Sequence, residues 1–236
     1  MSNKEKLKKI IDESEHIVFF GGAGVSTASG IPDFRSARGL YSMVPEEIVS
    51  HHYFMDHTKE FYDFYFDKMV YEDAKPNNCH KFLADLEKTK DIWIVTQNID
   101  GLHQKAGSKN VIELHGTTLD NHCMDCNKYY SLDDIDKKGV PKCSCGGIIK
   151  PDVVLYEEAL NDKDVEMAIE KISEADTLIV AGTSLIVYPA AGFLNYFRGK
   201  NLIIVNMSST PKDDIANLVI HEDINKVFDF NWLDNL

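Results

Sequence analysis

The sequence of 236 residues is long enough for one large domain with a smaller module, and its 44% hydrophobic and 27% charged residues are ordinary for a globular protein. Its formal net charge of −13, without a basic tract, argues against nucleic acid as the main partner, because phosphate binding draws on clustered Lys and Arg. No apolar run reaches the roughly 18 to 20 residues of a membrane span and no secretory signal is visible, so we expect a cytoplasmic protein without a membrane partner.

Short apolar runs rich in β-branched residues alternate with helical patterns along most of the chain. The predicted strands are Ile17–Phe20, Ile92–Thr96, Thr177–Ala181 and Asn201–Asn206. The predicted helices are Lys4–Ser14, Pro76–Lys88, Asp164–Ser173 and Tyr188–Phe197. This alternation predicts an α/β fold with a Rossmann-like, doubly wound parallel sheet. Ligands of such sheets bind at the carboxyl ends of the strands.

Two segments interrupt the alternation and predict a smaller inserted lobe. Residues 39–75 are rich in aromatic side chains and look helical, especially over Lys59–Met69, whereas residues 120–150 carry four cysteines and little apolar periodicity. We therefore expect a helical insertion over 39–75 and a metal-binding module over 120–150. The Rossmann-like domain then comprises residues 1–38, 76–119 and 151–236.

A glycine-rich turn, Gly21–Ser26, follows the first predicted strand. Glycine permits a tight turn and lets main-chain N–H groups approach a phosphate at a helix N-terminus. The dehydrogenase fingerprint requires a third glycine where this chain has Thr27, and an acidic residue about 20 positions further on at the end of a second strand, which is not found. The turn therefore favours nucleotide binding without hydride transfer; the alternative is a purely structural strand–helix turn.

The next segment, Gly30–Arg35, must be a loop because it contains glycine and proline. Phe34 and Arg35 stand side by side on it, and this pair suits a flat heteroaromatic group and an anion. The alternative is that Phe34 belongs to the core and Arg35 pairs with Asp33.

Polar motifs follow the later strands as well: Thr96–His103, Glu113–Gly116 and Gly182–Leu185, with Asn206 at the end of the last strand. The segments GAGVS, GIPDFR, TQNIDGLH, ELHG and GTSLIVYP, with two cysteine pairs, occur here in the order and spacing of one family. The chain resembles the sirtuins, NAD-dependent protein-lysine deacylases, from about residue 10 to residue 228.

The resemblance implies a deacetylase that transfers the acetyl group of acetyl-lysine proteins or peptides to ADP-ribose and releases nicotinamide. His115 would be the general base, taking the proton of a ribose hydroxyl, and Asn98 would be the second catalytic residue. The pyrophosphate and nicotinamide ribose would contact Gly22, Ala23, Gly24, Thr27, Asp33, Phe34 and Arg35. The nicotinamide pocket would be lined by Gln97, Asn98, Ile99, Asp100 and His115. The remaining NAD contacts would come from Gly182, Thr183, Ser184, Val187, Asn206, Met207 and Ile224.

Four cysteines form two close pairs, Cys123-x2-Cys126 and Cys143-x-Cys145. Within so short a segment of a protein in a reducing compartment they predict metal ligands rather than disulfides. Four thiolates make a closed, structural Zn²⁺ site, one per chain. The second pair is one residue shorter than in the family, which leaves two alternatives: three cysteines with His122, or a site without metal. Cys79 is predicted to be a buried apolar residue.

The segment Pro151–Glu158 resembles the strand to which sirtuins add an acyl-lysine peptide. Val154 and Tyr156 would line the lysine tunnel. Glu157 stands where the family commonly has glycine, and its carboxylate would either favour Lys or Arg beside the target lysine or point into solvent. On the helix over Lys59–Met69, sirtuins that prefer succinyl-lysine carry Tyr-x-x-Arg, whereas this chain has Tyr62 and Tyr65. We therefore expect neutral acyl groups to be removed and succinyl groups to be poor substrates.

Two other functions compete with deacetylation. One is an ADP-ribosyltransferase or NAD glycohydrolase that uses the same nicotinamide pocket with another acceptor. The other is a non-catalytic NAD sensor or scaffold, which the intact set of Asn98, Asp100 and His115 disfavours.

Overall fold

Strands and helices alternate through the computed structural model, which describes residues 1–34, 39, 45–186 and 188–229. In chain order the strands are β1 (His16–Gly21), β2 (Asp91–Thr96), β3 (Val111–Glu113), β4 (Gly116–Cys123), β5 (Tyr129–Ser131), β6 (Ile149–Val153), β7 (Thr177–Ala181), β8 (Asn201–Val205) and β9 (Leu218–Ile220). The α-helices are α1 (Asn3–Glu13), α2 (His51–Asp56), α3 (Thr58–Lys68), α4 (Asn78–Leu86), α5 (Leu102–Ala106), α6 (Asp162–Glu174) and α7 (Ile224–Val227). Within these described residues the strands form one sheet of six and one of three.

The larger sheet is parallel and has the order β3-β2-β1-β7-β8-β9. Every residue of β7 is buried, as its continuous apolar run predicts for a strand that is covered on both faces. The chain runs outward in opposite directions from β1 and β7, the arrangement that places a ligand crevice at the carboxyl ends of these two strands. The predicted Rossmann-like sheet is confirmed.

Helices cover both faces of this sheet. On one face α1, α4 and α7 contribute Leu7, Leu83 and Val227 to a buried cluster, and on the other α6 and a 3-10 segment contribute Ile172 and Phe193. Covering on both faces explains why the strands are apolar throughout. No helix in the described part of the chain is long and apolar enough to cross a membrane.

Two local predictions are wrong. The helix predicted over Tyr188–Phe197 is a 3-10 segment, Ala190–Tyr196. It contains Gly192, and glycine disfavours a regular α-helix because it loses the most conformational freedom there. The glycine-rich turn leads into two single-turn 3-10 helices, Ala23–Val25 and Thr27–Ser29, rather than into a regular helix. An anion at this turn therefore meets the main chain of a turn and not the N-terminus of an α-helix.

The smaller lobe combines α2 and α3 with the antiparallel sheet β5-β4-β6. Aromatic side chains of α3 pack against Val153 and Leu155, at the end of β6. The smaller sheet begins at Gly116 and ends at Val153, so its strands extend past both ends of the range 120–150. The predicted small lobe is present, while the division of the chain into domain ranges remains a prediction.

Candidate active site

Three loops meet where β2, β1 and β7 end. In the parallel register Gly21 lies opposite Thr96 on one side and Ala181 on the other. The main chain continues this pairing for one residue: Gly22 N–H donates to Ala181 at 3.1 Å, and Gln97 N–H donates to Gly21 at 2.9 Å. The residues after these strands are therefore brought together by the sheet itself.

Three glycines allow the loops after β1 and β7 to touch through their main chains. Gly24 N–H donates to the Gly182 carbonyl at 2.8 Å. A Cβ on Gly24 would lie 2.7 Å from Gly182 Cα, and one on Gly22 would lie 2.8 Å from the Gly182 oxygen. Gly182 itself has φ +62°, a left-handed conformation that favours glycine. The result is a concave stretch of main chain without side chains, which suits the close approach of a pyrophosphate.

A hydrogen-bonded chain of three side chains lies beside this turn. Ser26 Oγ donates to Asp100 Oδ2 at 2.6 Å and accepts from Asn98 Nδ2 at 3.0 Å. Burial raises the pKa of the Asp100 carboxyl, while the Ser26 hydroxyl and the Leu102 N–H act in the opposite direction. The network thus fixes an amide and a carboxylate on one side of the crevice.

Ser26 is a site residue that the sequence reasoning did not single out. It is only 1% exposed, and it joins the loop after β1 to the loop after β2. Its signal in the sequence is its place at the end of the glycine-rich turn, where a small hydroxyl residue can face the neighbouring strand end.

His115 follows β3 at the same end of the sheet. Its Nδ1 lies 2.9 Å from the Gln97 carbonyl oxygen, which can only accept, so Nδ1 carries the proton and Nε2 keeps its lone pair. Burial lowers the pKa of His115, and the bond to Gln97 opposes this shift only in part. The side chain is therefore a neutral imidazole with a free basic nitrogen near pH 7, the form that a general base requires.

Gln97 and Ile99 hold this region together from the loop after β2. The Gln97 side chain donates from Nε2 to Thr183 Oγ1 at 3.2 Å and so links the loop to the one after β7. The Ile99 carbonyl accepts from both the N–H and the hydroxyl of Thr118, at 2.9 and 3.0 Å. Thr118 also escaped the sequence reasoning, because nothing in an isolated threonine of a strand indicates which carbonyl it meets.

The residues predicted to contact the other parts of NAD are more widely spaced. Asn206, Met207 and Ile224 lie after β8 and at the start of α7, two strands away from β1. The Asn206 side chain donates to Ser208 O at 2.8 Å, and Met207 is 68% exposed. The other predicted contacts within the described residues are exposed or half-buried: Ala23, Thr27, Asp33, Phe34 and Ser184. Arg35 and Val187 lie outside the described residues.

The predicted substrate strand continues directly from β6 and touches the histidine loop. Val154 N–H donates to the His115 carbonyl at 2.9 Å. Tyr156 N–H donates to Val49 at 3.0 Å, the Tyr156 carbonyl accepts from His51 at 3.0 Å, and the Tyr156 hydroxyl donates to a carboxylate oxygen of Glu46. The backbone N–H and C=O of Tyr156 are therefore both paired within the chain.

The Glu157 carboxylate takes neither of the two placements considered above. Its carboxylate binds His52, with Oε1 2.7 Å from Nδ1 and Oε2 3.0 Å from the main-chain nitrogen. It therefore neither points freely into solvent nor stands unpaired for a basic residue of a substrate. The reason lies in the fold, because α2 begins next to Tyr156 and turns the His52 N–H towards Glu157.

The four predicted zinc ligands form one cluster, and their sulfur atoms lie within 4.8 Å of one another. Three of the sulfur–sulfur distances are 3.4 Å (Cys123–Cys145), 3.5 Å (Cys126–Cys145) and 3.6 Å (Cys126–Cys143). A Zn–S bond of about 2.3 Å places the sulfurs of a tetrahedral site about 3.8 Å apart, so the cluster fits zinc. The short Cys143-x-Cys145 spacing therefore still brings both thiols to the site.

Two further observations support a four-thiolate site. The Cys145 N–H and the Tyr130 hydroxyl lower the pKa of the Cys143 thiol to about 5, which favours the thiolate that binds metal. The alternative of three cysteines with His122 is wrong, because the cluster consists of the four cysteines without His122, whose Nδ1 lies 2.8 Å from Asp152. Cys79 is fully buried in the core, as predicted.

Tyr62 and Tyr65 lie on the face of α3 that packs against the substrate strand. Both are 0% exposed and belong to the cluster that contains Val153 and Leu155. The Tyr62 hydroxyl donates to the Ile149 carbonyl, and burial raises the pKa of both phenols. The wall next to the strand is thus built of neutral, buried aromatic side chains.

Comparison with known proteins places these features in context. The family model described as Sir2 family matches residues 22–189. A protein of Clostridium perfringens, named NAD-dependent protein deacetylase, is 59% identical over 232 residues, 94% of this chain and 95% of the relative. A protein of the same name from Clostridium acetobutylicum is 56% identical over 234 residues, 95% of this chain and 96% of the relative.

Solved structures agree with this similarity. A Sir2–p53 peptide–NAD+ structure superposes with a TM-score of 0.86 at 39% identity, covering 100% of this chain and 98% of that chain. An alanine mutant of Sir2, with deacetylated p53 peptide and 3'-O-acetyl ADP ribose, superposes with a TM-score of 0.91 at 39% identity, covering 99% and 98%. The similarity therefore extends over the large sheet and the small lobe alike.

Proposed function

This chain belongs to the Sir2 family and is an NAD-dependent protein deacetylase, and we propose that His115 serves as its catalytic base. The observation that carries this assignment is the 2.9 Å bond from His115 Nδ1 to the Gln97 carbonyl. It fixes the tautomer in which Nε2 accepts a proton. The lowered pKa keeps this nitrogen unprotonated near neutrality.

The residues around the crevice fit NAD. The main-chain surface formed by Gly22, Gly24 and Gly182 would receive the pyrophosphate, and the loop with Asn98 and Asp100 would receive the carboxamide end. Bound NAD supplies the ribose that takes up the acetyl group, with nicotinamide as the leaving group. The protein orients the reactants and excludes water.

His115 would contribute a proton transfer. Its Nε2 would accept the proton of a ribose hydroxyl, while the Gln97 carbonyl holds the imidazole in one orientation and stabilises the positive charge on the protonated ring. Burial disfavours this charge and lowers the pKa of the ring, which favours passing the proton on.

We also propose where the acetyl-lysine peptide binds and where the protein works. The peptide would lie along Val154–Glu157, since this segment is joined to the His115 loop by a main-chain hydrogen bond and packs on the neutral wall of α3. A cytoplasmic location is proposed because a zinc site of four thiols requires reduced cysteines.

The test is to incubate the protein with NAD and an acetyl-lysine peptide and to weigh both products. We expect deacetylated peptide and acetylated ADP-ribose in equal amounts. Free ADP-ribose with unchanged peptide would indicate a glycohydrolase, and a peptide heavier by ADP-ribose would indicate a transferase.

The histidine assignment has its own variant and control. His115→Ala should lower kcat by about 10²- to 10⁴-fold, the usual contribution of a general base. His16→Ala removes an exposed histidine at the opposite end of the sheet, where it pairs with Asp91, and should leave kcat unchanged. A folded His115→Ala protein with near wild-type kcat would contradict the assignment.

A further inference from the structure

The backbone of Glu157 has a conformation that side chains rarely adopt. Its φ is +75°, in the left-handed region where a Cβ is crowded and which glycine enters freely. Glutamate is not one of the residues that tolerate this region well. Contacts made by its side chain must therefore hold the residue in place.

The contacts that do so converge on His52. The Glu157 carboxylate accepts from the main-chain nitrogen of His52 at 3.0 Å and lies 2.7 Å from ring Nδ1. On the other side of the ring, Nε2 lies 3.0 Å from Glu47 Oε1. A neutral imidazole has a single N–H, so the two carboxylates are both bound through the ring only when His52 is an imidazolium. The same two hydrogen bonds raise the pKa of His52.

The neighbouring groups strengthen the connection. Ser50 Oγ lies 3.1 Å from His52 Nδ1 and donates to the Glu47 carbonyl at 2.7 Å. Behind it, Glu158 is bound by His51 at 2.9 Å and by Lys150 at 3.1 Å. Glu47, Glu157 and Glu158 thus each have a basic partner, and the end of the substrate strand is tied to the start of α2.

We propose that Glu157 is a positioning residue for the substrate, and that its bonds to His52 fix the direction of the strand after Tyr156 before the peptide binds. This inference rests on the proposed function, in which the peptide lies along Val154–Glu157. A strand that is ordered in advance costs the peptide less entropy on binding. Glu157 acts through the backbone geometry and does not touch the reacting atoms.

The geometry of the Glu157–His52 pair differs from that of a simple surface ion pair. The side chains of His52 and Glu157 are 49% and 51% exposed, and an isolated pair at such a site contributes little. Here the carboxylate also accepts from a main-chain N–H, which fixes the separation of two backbone segments. The consequence is a change in peptide affinity, with little change in the chemistry at His115.

Three substitutions at this position separate the side-chain contacts from the backbone strain. Glu157→Gln keeps an oxygen for His52, Glu157→Gly removes the contacts together with the strain, and Glu157→Ala removes the contacts but keeps the strain. We expect the peptide KM to rise less than about threefold for Gln, about tenfold for Gly and further for Ala, since a hydrogen bond to a charged group corresponds to about a factor of ten. The value of kcat and the KM for NAD should stay at the wild-type level in all three.

Asp91→Ala is the matched control, because it also removes a carboxylate bound to a histidine, 2.7 Å from His16 Nδ1, at the far end of the sheet. It should leave the peptide KM unchanged. Peptide affinity is measured in parallel by fluorescence anisotropy, without NAD. A Glu157→Gly protein with wild-type peptide KM and affinity overturns the inference, and so does a loss of kcat and NAD affinity that parallels the loss of peptide affinity.

The proposed function can fail separately. A wild-type protein that binds the acetyl-lysine peptide without deacetylating it contradicts the proposed reaction, while the anisotropy series still decides the role of Glu157. A wild-type protein that does not bind the peptide contradicts both the binding site and this inference.

Discussion

The hydroxyl of Ser26 lies 2.6 Å from the carboxylate of Asp100, and this bond joins the loops after β1 and β2. One loop carries the glycines of the crevice and the other carries the amide of Asn98. The bond also stabilises the charged form of a carboxyl group whose pKa burial raises. The orientation of Asp100 therefore depends on Ser26.

Substitution of either residue should weaken recognition of nicotinamide. Asp100→Asn replaces the charged acceptor, and we expect the nicotinamide concentration for half-inhibition to rise about tenfold, with a smaller rise for Ser26→Ala, which removes one hydrogen bond. Ser173→Ala, in which the lost hydroxyl donates to Glu170 O on the surface of α6, is the control. Inhibition curves at fixed NAD measure the effect, and unchanged curves for Asp100→Asn would show that the carboxylate does not contact nicotinamide.

The pH dependence of kcat should report the protonation of His115. Only the neutral imidazole can accept a proton, so activity is lost as the pH falls through the pKa of His115. Because burial places this pKa below 6.5, the acid limb of kcat should have its midpoint below that value. Burial raises the pKa of Glu113, in the same motif, to about 7, so a limb near 7 that disappears in Glu113→Gln would assign the titration to Glu113 instead.

The zinc site should be structural and remote from the reaction. Four thiolates leave no open position for a substrate, so elemental analysis should give one zinc per chain, and Cys145→Ser should lose it together with the structure of the small lobe. Cys79→Ala, at a cysteine buried in the core, should retain zinc. Thermal unfolding and zinc content are measured together. Freshly purified protein without zinc would contradict the ligand assignment.

Acyl selectivity should follow the neutral wall of α3. The resemblance to the sirtuins predicts that Tyr65 takes the place of the arginine that binds an acyl carboxylate, and burying an unpaired carboxylate costs several kcal/mol. We therefore expect kcat/KM for an acetyl peptide to exceed that for the matching succinyl peptide by at least about 100-fold, since about 1.4 kcal/mol corresponds to a factor of ten. Tyr65→Phe preserves the packing and should keep this preference. Equal efficiency on both peptides would mean that a cation reaches the acyl group.

Continuous apolar runs are predictable from the sequence, and short or antiparallel strands are not. The predicted strand Thr177–Ala181 has the bounds found in the structure, because a strand buried on both faces is apolar at every position. The edge strands Val111–Glu113 and Leu218–Ile220 have three residues each, too few to show a period. His115 and the four cysteines are also predictable, because each lies in a short sequence motif.

Contacts between distant segments escape prediction for a different reason. The pairing of Glu157 with His52 depends on where α2 starts relative to the strand, and these residues are 105 positions apart. The same holds for Ser26 and Asp100, 74 positions apart. Side-chain partners at such separations follow from the assembled fold and not from local pattern.

The smaller sheet closes a loop of chain whose two ends are fixed at the active site. It starts at Gly116, directly after His115, and ends at Val153, directly before Val154, and Gly116 and Val153 are paired in the register of β4 and β6. Insertions near Gly139, which has φ +101° and open space on the side where a Cβ would lie, would lengthen the loop without moving its ends. We therefore expect the module to accept a foreign peptide or an affinity tag near Gly139 while His115 and Val154 keep their positions.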